Sequence, residues 1–180
     1  MKVVVGARRS NLSIKQVEEI LEDLRSHAPQ IVFEPILTAT KGDRDLTSSL
    51  VPMDKSNFFT KEIDEMVLAG KCRIAIHSAK DLPEPLPKGL FLIAITKGQD
   101  PSDSLVLRKG ETLKKNGMIG SSSLRRNSIL RTLRPDCSCV EVRWPIEKRL
   151  EKLASGEIDV VVVAEAALIR LGLTHLNRIP

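Results

Sequence analysis

The chain has 180 residues, 42% apolar and 28% charged, with a formal net charge of +5. That composition supports a hydrophobic core and excludes a disordered chain, and no apolar run approaches the roughly 20 residues a bilayer span needs. The basic balance points to anionic partners; nucleic acid is disfavoured, because one Trp, four Phe and no Tyr leave few stacking platforms.

Met1–Val5 enters directly into strand-like sequence without an apolar leader, so a cytoplasmic protein is expected. Cys72, Cys137 and Cys139 are odd in number, and none forms a Cys-x-x-Cys pair, so reduced thiols and no metal site are expected.

Strand and helix patterns then alternate. Val3–Val5 reads as a buried strand, and 11–25 as a helix with Ile14, Val17, Leu21 and Leu24 at helical spacing. Residues 31–37 return to strand character, 38–51 read as a polar loop, and 60–69 as a helix with Ile63, Met66 and Val67 inward, closed by Gly70. Residues 73–76 and 90–96 read as further strands. After a loop-forming cluster at 97–101, a second series follows: strands at 104–107, 118–120, 138–142 and 159–163, and helices at 123–133, 146–155 and 165–171. The alternation predicts an α/β fold of βαβ units with largely parallel sheets, in two lobes, 1–97 and 98–180, with a cleft between them.

Candidate chemistry falls where strands end, the edge at which open α/β sheets bind ligands. Ile74–Pro83 stops a β-branched run in His77, Ser78, Lys80 and Asp81, and prolines follow at 83, 85 and 87. Cations nearby favour the ionised form of Asp81, suiting it to accept N–H bonds and to stabilise positive charge. A Ser-His-Asp hydrolase is disfavoured: neighbouring strand residues face opposite ways, and no Gly-x-Ser-x-Gly elbow exists.

Gly6-Ala7-Arg8-Arg9-Ser10 joins the first strand to the first helix. Ser10 or Asn11 is a candidate cap there, and Arg8 a bidentate carboxylate ligand, unless it is simply a solvated cation. Gly120-Ser121-Ser122-Ser123-Leu124-Arg125-Arg126 repeats the design without forming a P-loop. Arg143, Arg149 and Arg170 lie at strand or helix ends, where a cation is equally explained by solvation or the helix dipole.

These pieces, taken in order, resemble the porphobilinogen deaminase (hydroxymethylbilane synthase) family along essentially the whole chain. The matching segments are Arg8-Arg9-Ser10-Asn11-Leu12 with Gln16, Thr40-Lys41-Gly42-Asp43, Phe59-Thr60-Lys61-Glu62-Ile63, His77-Ser78-Ala79-Lys80-Asp81-Leu82-Pro83, Asp100-Pro101-Ser102-Asp103, Gly120 to Arg126, Arg134-Pro135-Asp136 and Arg170-Leu171-Gly172.

The resemblance implies two lobes like type II periplasmic binding proteins, and a third domain carrying a covalent dipyrromethane on a cysteine. It implies head-to-tail condensation of four porphobilinogens with loss of ammonia, giving hydroxymethylbilane for tetrapyrrole and heme biosynthesis. It assigns Asp81 to the pyrrole N–H groups and to the cationic intermediate. Arg8, Arg125, Arg126, Arg143, Arg149 and Arg170 would bind acetate and propionate groups, assisted by Ser10, Lys80, Ser121, Ser122 and Ser123. The implied partners are porphobilinogen and its oligopyrrole products, acted on by a monomer without membrane or nucleic acid.

Three departures stand out. The cofactor domain is expected to lie outside these 180 residues, and none of the three cysteines matches the family's attachment cysteine, which leaves a non-catalytic anion-binding module as the alternative. Trp144-Pro145 replaces the family's Gly-Asn after Arg143. The loop at 54–59, glycine-rich in the family, has no glycine here.

Overall fold

The computed structural model describes residues 1–45, 57–142 and 144–180. These fall into two compact units, one ending at Lys97 and the other spanning Gly98–Pro180.

The first unit is built on β1 (Lys2–Arg8), α1 (Asn11–His27), β2 (Val32–Thr38), α2 (Lys41–Arg44), α3 (Lys61–Leu68) and β3 (Ile74–Ala75). Its sheet has the order β2-β1-β3, and both pairings are parallel. Alternate residues of β1 point to one face, so Val3, Val5 and Ala7 share a core with Val17 and Leu21 of α1 and with Ile76. On the opposite face Gly6 lets α3 approach: a Cβ there would stand 2.8 Å from Cys72 Sγ and 3.0 Å from Ile63.

The second unit comprises β4 (Asp103–Leu107), β5 (Met118–Gly120), α4 (Leu124–Leu133), β6 (Ser138–Val140), α5 (Ile146–Ala154), β7 (Val160–Ala164), α6 (Glu165–Arg170) and β8 (Arg178–Ile179). Its sheet runs β6-β5-β7-β4-β8. β5 is parallel to β6 and β7, whereas β4 is antiparallel to both β7 and β8. Val160, Val161, Val162 and Val163 are all buried, as a central strand covered on both faces requires.

Two sequence expectations are corrected. Residues 38–51 are not all loop, because Thr40 starts the short helix α2; residues 46–51 lie outside the described set. Residues 90–96 do not form a strand: none of them pairs, and Phe91, Leu92, Ile93 and Ile95 are exposed by 53–78%. A β-branched run records only that a strand is favoured; the ladder also needs a neighbour within hydrogen-bonding reach. The remaining elements lie within a few residues of their expected bounds, and β8 had no expectation. In α3, Ile63 is buried, Met66 and Val67 are half-buried, and Gly70 follows the helix at φ 70°.

Candidate functional site

In the first unit the sheet carries charge to the ends of its parallel strands. Arg8 is the last residue of β1, and Asp81 ends a single 3-10 turn, Ala79–Asp81, reached six residues after β3. Arg8 Nη1 lies 3.4 Å from Asp81 Oδ2. The same guanidinium grips Asp43 of α2 through Nη2 to Oδ1 and Nε to Oδ2, and its carbon sits 4.5 Å from the centre of the Phe59 ring. The Arg8, Asp43 and Asp81 side chains are each about one-fifth exposed (20%, 18% and 17%). Arg8 is therefore a clamped cation with carboxylates on two sides, and its solvated reading is set aside.

The clamp has local causes. The Thr40 N–H and hydroxyl both donate to Asp43 Oδ2, at 2.9 and 2.8 Å, which fixes the carboxylate at the start of α2. Burial alone would push the Asp43 carboxyl up, but the bonds from Arg8 and Thr40 outweigh it, and the net shift is downward. Gly42 makes room for Phe59, since a Cβ there would fall 2.2 Å from the ring.

The turn bearing Asp81 is anchored too. Ser78 Oγ donates to Gln16 Oε1 at 3.0 Å, tying it to α1. His77 Nε2 lies 3.6 Å from Asp64 Oδ1, and both side chains are at most 10% exposed. Thr60 Oγ1 donates to the other Asp64 oxygen at 2.7 Å. Ser10 caps α1, accepting from the Ser13 N–H at 3.3 Å, which settles the choice between Ser10 and Asn11. Lys80 is exposed beside Asp81.

The second unit arranges its candidates around the β5–α4 junction. Ser121 is buried, Ser122 Oγ donates to the Val142 carbonyl, and Ser123 Oγ accepts from the Arg126 N–H at 3.4 Å as the cap of α4. Arg126 Nε donates to Asp103 Oδ2 at 2.9 Å, whereas Arg125 is exposed. Arg149 Nε donates to the Trp144 carbonyl at 2.6 Å, and the Trp144 ring lies beneath Lys152 Nζ at 4.5 Å. Arg170 is half-buried at the end of α6. Arg143 lies outside the described residues, as does 54–56 of the glycine-free loop.

Asp43, Phe59, Thr60, Asp64 and Gln16 received no role from the sequence, although all except Asp64 stand in the segments that carried the resemblance. Only their long-range partners, Arg8, His77 and Ser78, show what they hold.

Two α/β units with parallel strands and one antiparallel insertion define a fold of the type II periplasmic-binding-protein kind. A solved structure from work on glutathione import via GshT and the cystine importer TcyBC of Streptococcus mutans matches 99% of this chain and 75% of its own at TM-score 0.50, with 10% identity. The porphobilinogen deaminase, dipyromethane cofactor binding domain description matches residues 3–179. The chain thus belongs to the porphobilinogen deaminase family. Porphobilinogen deaminase of Prochlorococcus marinus (strain NATL2A) is 41% identical over 177 residues, covering 95% of this chain and 56% of the relative. That of Desulforudis audaxviator is 38% identical over 184 residues, covering 99% and 60%. The chain spans just over half the length of these relatives.

The family's cofactor is dipyrromethane, and the donor set suits its polar parts: guanidiniums for carboxylates, and a carboxylate for pyrrole N–H groups. Two of the three cysteines suit covalent attachment poorly. Cys72 is 3% exposed against the Gly6 backbone, and burial pushes its thiol up, as it does that of Cys139. None of the helices among the described residues is long and apolar enough to cross a membrane.

Proposed function

We propose that this chain supplies the substrate-handling lobes, residues 1–97 and 98–180, of a porphobilinogen deaminase, which condenses porphobilinogen head to tail with release of ammonia. The observation that carries the reading is the Arg8–Asp81 pair at 3.4 Å, a fixed cation against a fixed carboxylate at the ends of parallel strands. A pyrrole bearing acetate and propionate offers the complementary groups. Its carboxylates compete for Arg8, and its N–H donates to the carboxylate that Arg8 then releases.

As ammonia leaves, positive charge develops on the pyrrole and its methylene. Asp81, on a turn anchored through Ser78 to Gln16 and through His77 to Asp64, is placed to stabilise that charge without reorganising. Asp43 keeps the Arg8 guanidinium from swinging away with the incoming carboxylate. Arg125, Arg126, Arg143, Arg149 and Arg170, with Ser10, Lys80, Ser121, Ser122 and Ser123, are assigned to the further carboxylates of a growing chain. The dipyrromethane, when bound, supplies the pyrrole end to which substrate units add. The three free cysteines suit a reducing compartment, in line with a cytoplasmic enzyme, and the ligands are small anionic pyrroles bound by a monomer.

The test is calorimetric titration with porphobilinogen together with an assay of ammonia release. With the dipyrromethane bound, Asp81→Asn should bind porphobilinogen yet slow ammonia release by about 10²–10³-fold, the usual scale for losing one preorganised charge-stabilising group. Arg8→Met should lose the binding itself. A chain that neither binds porphobilinogen nor releases ammonia, or an Asp81→Asn protein indistinguishable from the parent, removes the reading.

A further inference from the structure

Trp144-Pro145 stands where the family has Gly-Asn, in the loop that carries the second unit from β6 into α5. Two carbonyls of this loop are engaged by side chains. Val142, 2% exposed, accepts from Ser122 Oγ, and two residues on Trp144 accepts from Arg149 Nε at 2.6 Å. The Arg149 N–H also bonds the Pro145 carbonyl, at 3.1 Å, in the first turn of α5. Backbone and side chain of Arg149 are thus both held by the entry loop, beside the serines that follow β5.

The Trp-Pro pair stiffens that loop in two ways. A residue before proline is confined to extended backbone, so Pro145, at φ −50°, narrows the directions open to the Trp144 carbonyl. The half-buried Trp144 ring lies beneath Lys152 Nζ at 4.5 Å, where ammonium and π face attract. Lys152 pairs in turn with Glu157, whose other oxygen accepts from Ser155 Oγ at 3.2 Å. Ring, ammonium and carboxylate therefore tie the loop to the last turn of α5. A Gly-Asn pair has no ring to anchor and leaves the backbone before α5 free to turn.

We propose that Trp144 is a positioning residue: its ring, pinned by Lys152, sets the carbonyl that orders Arg149 and holds the guanidinium ready for a carboxylate of the substrate. The inference rests on the reading of Arg149 as a ligand for pyrrole carboxylates. With Nε engaged by the loop, a carboxylate meets the guanidinium through its Nη groups, the end-on fork that suits acetate or propionate. A long side chain held in this way has given up its rotamer freedom before the ligand arrives, so binding does not bear that cost.

The first readout needs no ligand. In a nitrogen–proton correlation spectrum the Arg149 Nε–H, assigned by its loss in Arg149→Lys, should exchange slowly with water. It should stay slow in Trp144→Phe, which keeps a ring beneath Lys152, and become fast in Trp144→Ala. Lys152→Gln, which frees the ring without altering the loop, should act in the same direction and serves if Trp144→Ala does not fold. The second readout is calorimetric titration with porphobilinogen. Affinity should fall by about threefold to tenfold in Trp144→Ala, the scale of ordering one long side chain on binding, and hold in Trp144→Phe. In an Arg149→Met background Trp144→Ala should change nothing further, because Trp144 acts through Arg149. A slow Nε–H in both Trp144→Ala and Lys152→Gln overturns the proposal. So does porphobilinogen affinity untouched by Trp144→Ala, or lowered equally by it in the Arg149→Met background. A parent that binds no porphobilinogen, with the slow Nε–H still lost in Trp144→Ala, removes the functional reading and leaves the ordering of Arg149 standing.

Discussion

The two units share a βαβαβ plan and differ in how far it is completed. In the second, five strands bury Val160–Val163 on both faces, and β4 closes what would otherwise be an edge. In the first, three strands leave β2 largely exposed along its length, and the strongest strand-former after β3, residues 90–96, stays in solvent. Their polar ends differ as well. The first unit gathers opposite charges at its strand ends, Arg8 between Asp43 and Asp81, whereas the second surrounds a helix start with hydroxyls and sets Arg126 against Asp103. A common topology therefore fixes where polar groups cluster, and the side chains on the loops decide what each cluster can hold.

The comparison breaks most readily in the cores. Leu21→Ala and Leu168→Ala each remove a fully buried leucine, and each should cost about 3 kcal/mol by the usual range for such cavities. If the units are separate in stability, Leu21→Ala speeds hydrogen exchange at Val3–Val5 while Val160–Val163 hold. Equal loosening of both sets would show one cooperative body.

Next comes Gly42→Ala, which forces a methyl into the Phe59 ring and should cost about 1–3 kcal/mol through overpacking. Because Phe59 covers Arg8, porphobilinogen affinity should fall with it. The nearest relative in the second unit is Gly120→Ala, where a Cβ would stand 2.8 Å from Ile158; it should lower the melting temperature with no direct path to Arg8.

The helix caps test the shared plan itself. Ser10→Ala and Ser123→Ala remove equivalent caps after the first strand of each series, and each should cost about 1 kcal/mol in denaturant unfolding. A clear inequality would mean that one hydroxyl does more than cap.

The smallest effect is in acid. Asp43 has a lowered folded pKa, so the unfolded chain takes up its proton first as pH falls. The stabilisation it gives is full above the ordinary carboxylate range and is lost as pH drops through the lowered folded value, below 3.8. Asp43→Asn should flatten that part of the acid limb while leaving neutral-pH unfolding of the second unit unchanged. An unchanged acid limb would mean that the Arg8–Asp43 contact does not hold in solution.

Much of the architecture was legible in the chain, because local periodicity and end signals are local physics. Val17 and Leu21 at helical spacing, Ser123 before Leu124 and the unbroken valines at 160–163 each specify their element with little outside help. Run 90–96 shows the limit. Its composition is as strand-like as that of β7, but a strand exists only where another backbone meets it.

The candidate site divides in the same way. The order of motifs determined the family, marked Arg8 and Asp81, and placed both at strand ends. Only the tertiary structure decided that Arg8 is held by Asp43 and shielded by Phe59, and that the Asp81 turn rests on Gln16 and on a buried His77–Asp64 contact. Those partners lie 35, 73 and 62 positions apart for Arg8–Asp43, Arg8–Asp81 and Gln16–Ser78. Sequence encodes such contacts through the packing of whole elements, and no local pattern spans those distances.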